Sequence, residues 1–179
     1  KRRGGERYDG HCRARGLAET AGTGLRVRLD DDEETFVDRR LGPQRQHPVD
    51  ECGDVLVRDR DGHWTYQFAV TVDDIEQEIT HVIRGEDLLS STGRQLQLMR
   101  LLGHAAPPRY LHHPLLYGAG GAKLSKSAGD TGVRDLRAAG LSAAEVIGRA
   151  AHLAGLTPTA APVAAHDVHV LFSAWRSAP

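Results

Sequence analysis

The chain has 179 residues, 40% of them apolar and 26% charged, with a formal net charge of -1. That length can bury a core without disulfide or metal staples, the balanced composition excludes global disorder, and no run reaches the ~18 apolar residues of a bilayer span. Near-neutrality means that a polyanionic partner must be met by local basic patches and not by the field of the whole molecule.

The chain opens on Lys1, not methionine, and further chain upstream is expected. Lys1, Arg2, Arg3, Arg7, Arg13 and Arg15 outweigh Glu6 and Asp9, which gives a basic, solvated arm. The two cysteines, Cys12 and Cys52, follow no signal-like apolar segment and fit a reducing, cytoplasmic compartment. Residues 24–29 alternate apolar and charged side chains and predict a half-buried strand. Thr35–Asp38 is expected to pair back on it, and a polar stretch from Gly42 to Gly53 leads to a strand at Asp54–Arg58. Asp59–His63 supplies a hairpin turn into a further strand over Trp64–Val70.

A strand, helix, strand unit is predicted between Ile79 and Leu116. Ile79–Arg84 is the first strand, and Ser91 or Thr92 caps a helix whose inward positions include Leu96, Met99, Leu102 and Gln95. Gly103 stops that helix, Pro107–Pro108 prevents its continuation, and Tyr110–Leu116 is the second strand. Ligands of such sheets collect beyond the carboxyl ends of the strands. Ser142 and Glu145 form a capping box for a helix running to about Ala154. The apolar residues from Leu156 to Trp175 are enough for a docked terminal helix.

Three constellations carry chemistry. Behind the glycine turn Gly118–Gly121, Lys123-Leu124-Ser125-Lys126-Ser127 places two ammonium groups three residues apart, able to neutralise a polyphosphate while its α-phosphorus is attacked. The alternative is an ordinary solvated lysine loop. No GxxxxGK[ST] phosphate loop is present. Tyr66, Asp73, Asp74, Arg84, Glu86 and Asp87 form the second set, in which the Arg84 fork can bind a carboxylate in two places and the acids an ammonium. Structural ion pairing is the competing reading. Tyr8 and Cys12, with His11 between them, offer at most half of a four-ligand zinc site. His81, His112 and His113 read as packed or exposed strand histidines and not as acid-base catalysts.

Taken together, Tyr8–Arg13, Tyr66–Asp74, His81–Leu89 and Lys123–Ser127 resemble the glutamyl branch of the class I aminoacyl-tRNA synthetases, over roughly residues 7–130, and most of all its compact members that act on queuosine. The resemblance implies an α/β fold, the carboxyl-terminal part of a Rossmann-like catalytic domain with a small inserted β-containing region. It implies a distal zinc-knuckle segment at 1–24, the insertion at 25–65, the catalytic portion with the lysine loop at 66–130 and a helical region at 131–179. Tyr66 and Arg84 then contact L-glutamate, and Lys123, Leu124, Ser125 and Lys126 contact ATP, with Mg2+, the two lysines carrying the catalytic role. Tyr8 and Cys12 are the latter two ligands of a Zn2+ site. The reaction implied is formation of glutamyl-adenylate and transfer of glutamate to queuosine in tRNA(Asp), by a cytoplasmic, non-membrane, monomeric protein. The family's HIGH-type motif and the paired upstream cysteines do not occur in these residues, so both sites are expected to be completed upstream. An ordinary glutamyl-tRNA synthetase charging tRNA(Glu) and a noncatalytic RNA-binding or regulatory fragment are the alternatives.

Overall fold

A computed structural model describes residues 7–117 and 132–173. The chain divides into two compact units, Lys1–His112 and His113–Pro179.

In the first unit, β1 (Leu25–Val27) pairs antiparallel with β4 (Val55–Arg58). β2 (Glu34–Asp38) does not fold back on β1: it pairs antiparallel with β3 (Gly42–Gln46) and parallel with β6 (Arg109–His113) through Asp38 and Tyr110. The four-stranded sheet has the order β3-β2-β6-β5, with β5 at His81–Gly85. The polar stretch from Gly42 to Gly53 contains both β3 and a short helix, α1 (Pro48–Cys52), which begins on proline where a missing N–H costs nothing.

The expected strand over Trp64–Val70 is instead the start of helix α2 (Tyr66–Glu76). Thr65 is extended, donates its hydroxyl to the Leu56 carbonyl at 2.6 Å and its N–H to the Val57 carbonyl at 2.9 Å, and so ends the hairpin after one Arg58–Trp64 bridge. From there a helical face takes over: Thr71, fully buried, donates back to the Gln67 carbonyl one turn earlier, and α2 packs on α3. Alternating polar and apolar residues over seven positions satisfied the strand period by coincidence.

Helix α3 (Thr92–Leu101) forms where expected, ending before Gly103 at positive φ. Leu96, Leu98 and Met99 are buried, but so are Gln95 and Gln97, whereas Leu102, beyond the last turn, is 47% exposed. Gly93 lets the helix start lie against Gln46 and Pro48: a Cβ there would stand 2.8 Å from the Gln46 amide oxygen, which accepts the Gly93 N–H at 2.7 Å. The apolar centre of the unit is Leu29, Val55, Val57 and Leu98, with Val27, Val49, Cys52 and Phe68 packed against it.

The second unit contains α4 (Val133–Ala138), α5 (Ala143–Leu153) and a four-residue α6 (Val168–Leu171), shorter than the docked terminal helix expected. The capping box that starts α5 is present, Glu145 N–H donating to Ser142 Oγ at 3.3 Å and Ser142 N–H to the Glu145 carboxylate at 2.8 Å. Among the described residues no helix is long and apolar enough to cross a membrane.

Candidate functional site

The amino-terminal segment is bolted to the first unit by contacts of its own. Tyr8 N–H donates to the Cys52 carbonyl at 3.0 Å and Tyr8 bridges Gly53, where a side chain would collide with the Tyr8 carbonyl at 2.0 Å. Arg13 grips the buried Asp54 carboxylate with Nε at 2.9 Å and Nη2 at 2.5 Å, and the Arg26 guanidinium lies over the Tyr8 ring at 4.2 Å. Tyr8 Oη accepts the Cys12 backbone N–H at 3.0 Å, and hydrogen bonding with the Cys12 side chain pushes the phenol upward in pKa. The two predicted metal ligands are thus brought together. His11, its ring 5.3 Å from that of Tyr8, pairs with the Asp9 carboxylate at 2.8 Å, and both cysteines are free thiols. The donor set fits half of a tetrahedral site, an oxygen and a sulfur presented side by side on one short turn. Among the described residues, the acidic and histidine group close enough to share an ion is elsewhere, in the exposed turn Asp59, Asp61, His63.

The second constellation is only partly assembled. Arg84, at the end of β5, is 9% exposed, and its side chain enters a buried polar network. Its Nε–H donates to His112 Nε2 at 2.9 Å, Nη1 to the Gln95 side-chain oxygen at 2.7 Å and Nη2 to Thr92 Oγ1 at 2.8 Å, with the Tyr110 ring centroid 5.3 Å from the guanidinium carbon. Gln95 donates on to Gln67 at 2.8 Å, and Gln67 to Ser91 at 2.9 Å, joining α3 to α2. Tyr66, 53% exposed at the start of α2, lies close enough to the guanidinium to support its charge, as does Asp74 through space. Burial raises the Asp74 carboxyl above its ordinary value, partly countered by Arg84. Glu86 joins a different pair, with Arg40, and Asp73 contributes only its charge beside Asp74.

What distinguishes Arg84 is the neutrality of these partners. Arg13, Arg40, Arg45, Arg58 and Arg100 each have a carboxylate within ion-pair distance. Among the described residues, Arg84 donates to a threonine, a glutamine and a histidine. Burial therefore lowers its pKa, the penalty expected of a desolvated cation lacking a contacting counter-charge. A guanidinium has five N–H groups, so each terminal nitrogen keeps one N–H beyond these contacts.

Sequence reasoning missed most of what surrounds that cation. His112 is fully buried and held by the carboxylate of Asp38, itself 1% exposed: Asp38 Oδ2 accepts the His112 backbone N–H at 3.0 Å and faces Nδ1 at 2.7 Å. The other oxygen accepts the backbone N–H groups of Arg40 and Leu41 at 3.0 and 2.9 Å. Tyr110 and His112 alternating along β6 were the available signal; nothing local to Asp38, Thr92 or Gln95 pointed to Arg84. Lys123, Leu124, Ser125, Lys126 and Ser127 lie outside the described residues. Two surface concavities among the described residues, one beside Tyr8 and Arg13 and one beside Cys52 and Arg94, do not include Arg84.

Comparison with known proteins bears on this geometry. The family described as class I tRNA synthetases for E and Q, catalytic domain, matches residues 5–163. The chain is 50% identical over 129 residues to a glutamyl-Q tRNA(Asp) synthetase of Janthinobacterium sp. (strain Marseille), covering 68% of this chain and 43% of the relative. It is 41% identical over 179 residues to the protein of the same name from Symbiobacterium thermophilum, covering 96% of this chain and 55% of that one. The chain thus spans about half the length of these relatives. A glutamate tRNA ligase from Elizabethkingia meningosepticum, crystallised in complex with its amino acid, superposes with a TM-score of 0.56 at 27% identity, over 76% of this chain and 28% of that one.

Proposed function

The chain belongs to the class I tRNA synthetase family for glutamate and glutamine, as part of its catalytic domain, and from that premise we propose that the full-length protein activates L-glutamate with ATP and transfers it to queuosine in tRNA(Asp). The observation that carries the reading is the buried Arg84 cation, hydrogen-bonded by neutral groups and flanked by the Tyr66 phenol. Such a group is prepared for an anion that the described residues do not supply. The names of the relatives support glutamate as that anion and tRNA(Asp) as the acceptor.

In this reading the α-carboxylate must stay free to react, so Arg84 holds the side-chain carboxylate, with Tyr66 beside it. Asp74, whose charge is felt at Arg84, receives the substrate ammonium. An oxygen of the α-carboxylate attacks the α-phosphorus of ATP, the bond to pyrophosphate breaks, and glutamyl-adenylate forms. A hydroxyl of queuosine then attacks the acyl carbon and AMP leaves. Lys126, supported by Lys123 and the backbone around Leu124 and Ser125, neutralises charge on the phosphates; Mg2+, when bound, adds further neutralisation. Alignment and charge compensation supply the rate, and no side-chain nucleophile is required. Tyr8 and Cys12 contribute two ligands to a structural zinc.

The test is glutamylation by the full-length protein of two purified substrates, queuosine-containing tRNA(Asp) and tRNA(Glu), after glutamate-dependent ATP–pyrophosphate exchange has been established. Label incorporated only into tRNA(Asp) is expected; label confined to tRNA(Glu) would replace the assignment by ordinary glutamyl-tRNA synthesis.

A further inference from the structure

We propose that Asp38 and His112 are positioning residues for Arg84: the carboxylate fixes one tautomer of the imidazole, and the imidazole's remaining lone pair fixes the direction of the guanidinium that receives the substrate anion. The inference rests on the proposed function for the identity of that anion.

An ionised carboxylate only accepts, a guanidinium only donates, and a neutral imidazole does one of each. Asp38 Oδ2 stands 2.7 Å from Nδ1 and Arg84 Nε stands 2.9 Å from Nε2. A single arrangement satisfies both contacts: the proton sits on Nδ1 and the lone pair on Nε2. Moving it to Nε2 would set two N–H groups against each other in a fully buried place. With Nε tied to His112, Nη2 to Thr92 and Nη1 to Gln95, the guanidinium plane is held at three corners, and its remaining N–H groups keep one orientation.

Asp38 is suited to enforce this because its two oxygens are committed. Oδ1 takes the N–H groups of Arg40 and Leu41, and Oδ2 takes the N–H and Nδ1–H of His112. Asparagine offers one acceptor oxygen where these four donors converge. If its NH2 faces the imidazole, Nδ1 must turn acceptor and the proton moves to Nε2, against Arg84. Arg40 braces the same point from outside, donating its Nε–H to the His112 carbonyl at 2.5 Å while pairing with Glu86.

The experiment combines kinetics with a direct reading of the tautomer, on the full-length protein. In glutamate-dependent pyrophosphate exchange, Asp38→Asn and His112→Phe are expected to raise the glutamate KM at least about tenfold, the scale of one lost charged hydrogen bond, with kcat and the ATP KM nearly unchanged. His112→Gln, whose side-chain oxygen can stand in for Nε2, restores most of the glutamate KM. A fall in kcat with an unaltered glutamate KM, or a glutamine variant as impaired as phenylalanine, would reduce both residues to scaffold. Independently, nitrogen-15 imidazole shifts place the His112 proton on Nδ1 in the wild type and move it in Asp38→Asn. An Nε2–H imidazole in the wild type overturns the relay. A wild-type protein that does not activate glutamate, yet has the Nδ1–H tautomer, removes the substrate and keeps the positioning.

Discussion

Replacing Arg84 by alanine tests two roles of one side chain, the buried network that the structure shows and the substrate contact that we propose. The truncation leaves His112 Nε2, the Gln95 oxygen and Thr92 Oγ1 without their buried donor. Each orphaned acceptor costs about 1–3 kcal/mol. Against that sum stand the relief of a desolvated cation, itself worth several kcal/mol, and water entering a polar space that can hold it. A net loss of about 2–4 kcal/mol is the expected balance, and urea denaturation with a constant m-value measures it. Loss of a charged two-point contact removes about 2–4 kcal/mol from transition-state binding, so kcat/KM for glutamate in pyrophosphate exchange should fall about 30- to 700-fold. Arg84→Lys keeps the charge but cannot reach three acceptors in one plane, so it should recover part of the stability and little of the glutamate KM. A stability loss below about 0.5 kcal/mol, within the range of ordinary surface substitutions, would show that the network does not exist as described. Full destabilisation with unchanged kcat/KM would leave Arg84 a structural cation and sink the substrate assignment.

Lys126→Ala should slow single-turnover adenylate formation by about 10- to 1000-fold, the scale of one lost electrostatic contact at a phosphate, while leaving glutamate affinity intact; a near-normal rate would remove that lysine from the chemistry. Gly53→Ala forces a Cβ to within 2.0 Å of the Tyr8 carbonyl at a φ of +67°, so limited proteolysis should cut near residues 7–15 faster than in the wild type. Equal cleavage would mean that the Tyr8–Gly53 bridge does not hold the segment. Burial, aided by Arg84 and Arg40 against the pull of Asp38, lowers the His112 pKa from its ordinary 6.5. The unfolded chain then binds the extra proton first, so this contribution to stability is complete above about pH 6.5 and is lost as pH falls toward the folded value. For Asp38, burial is outweighed by hydrogen bonds from His112, Leu41 and Arg40, and the depressed carboxylate adds a second loss on acidification below about pH 3.8. Denaturation midpoints measured across this range should show the upper step in the wild type and not in His112→Gln.

Elements governed by neighbours in sequence were legible from the residues alone. The Ser142–Glu145 capping box, the Gly103 stop and the β4 strand before the Asp59–His63 turn depend on contacts within a few positions, and each is found. The failures lie where a partner distant in sequence decides. Trp64–Val70 alternates like a strand, yet the Thr65 contacts to Leu56 and Val57 end the hairpin and α3 offers a helix-packing face. Gln97 looks like an exposed helix position until Asp30 is placed beside it, and the partners of the inward Gln95, Arg84 and Gln67, are not visible in its neighbours. Pattern alone singles out Arg84 and Tyr66 as candidates; the neutrality of the guanidinium's contacts, which makes the cation informative, follows only from three dimensions.

The strands that meet at Asp38 come from stretches far apart in the chain and share a buried centre. β2 lies between β3 and β6, and Asp38 at its end takes the backbone and the imidazole of His112. A carboxylate at that position does more than close a strand end: it sets the proton that sets the arginine. Its contribution passes through a sheet register in which Asp38 is opposite Tyr110, and a one-residue slip would turn His112 to the other face of β6. The polar centre is accordingly costly to misassemble, because displaced donors and acceptors stay buried without partners. That penalty couples correct pairing of β2 with β3 and β6 to correct aim of Arg84, so a substitution in residues 34–46 that shifts β2 should be read first in glutamate recognition, far along the chain from where it was made.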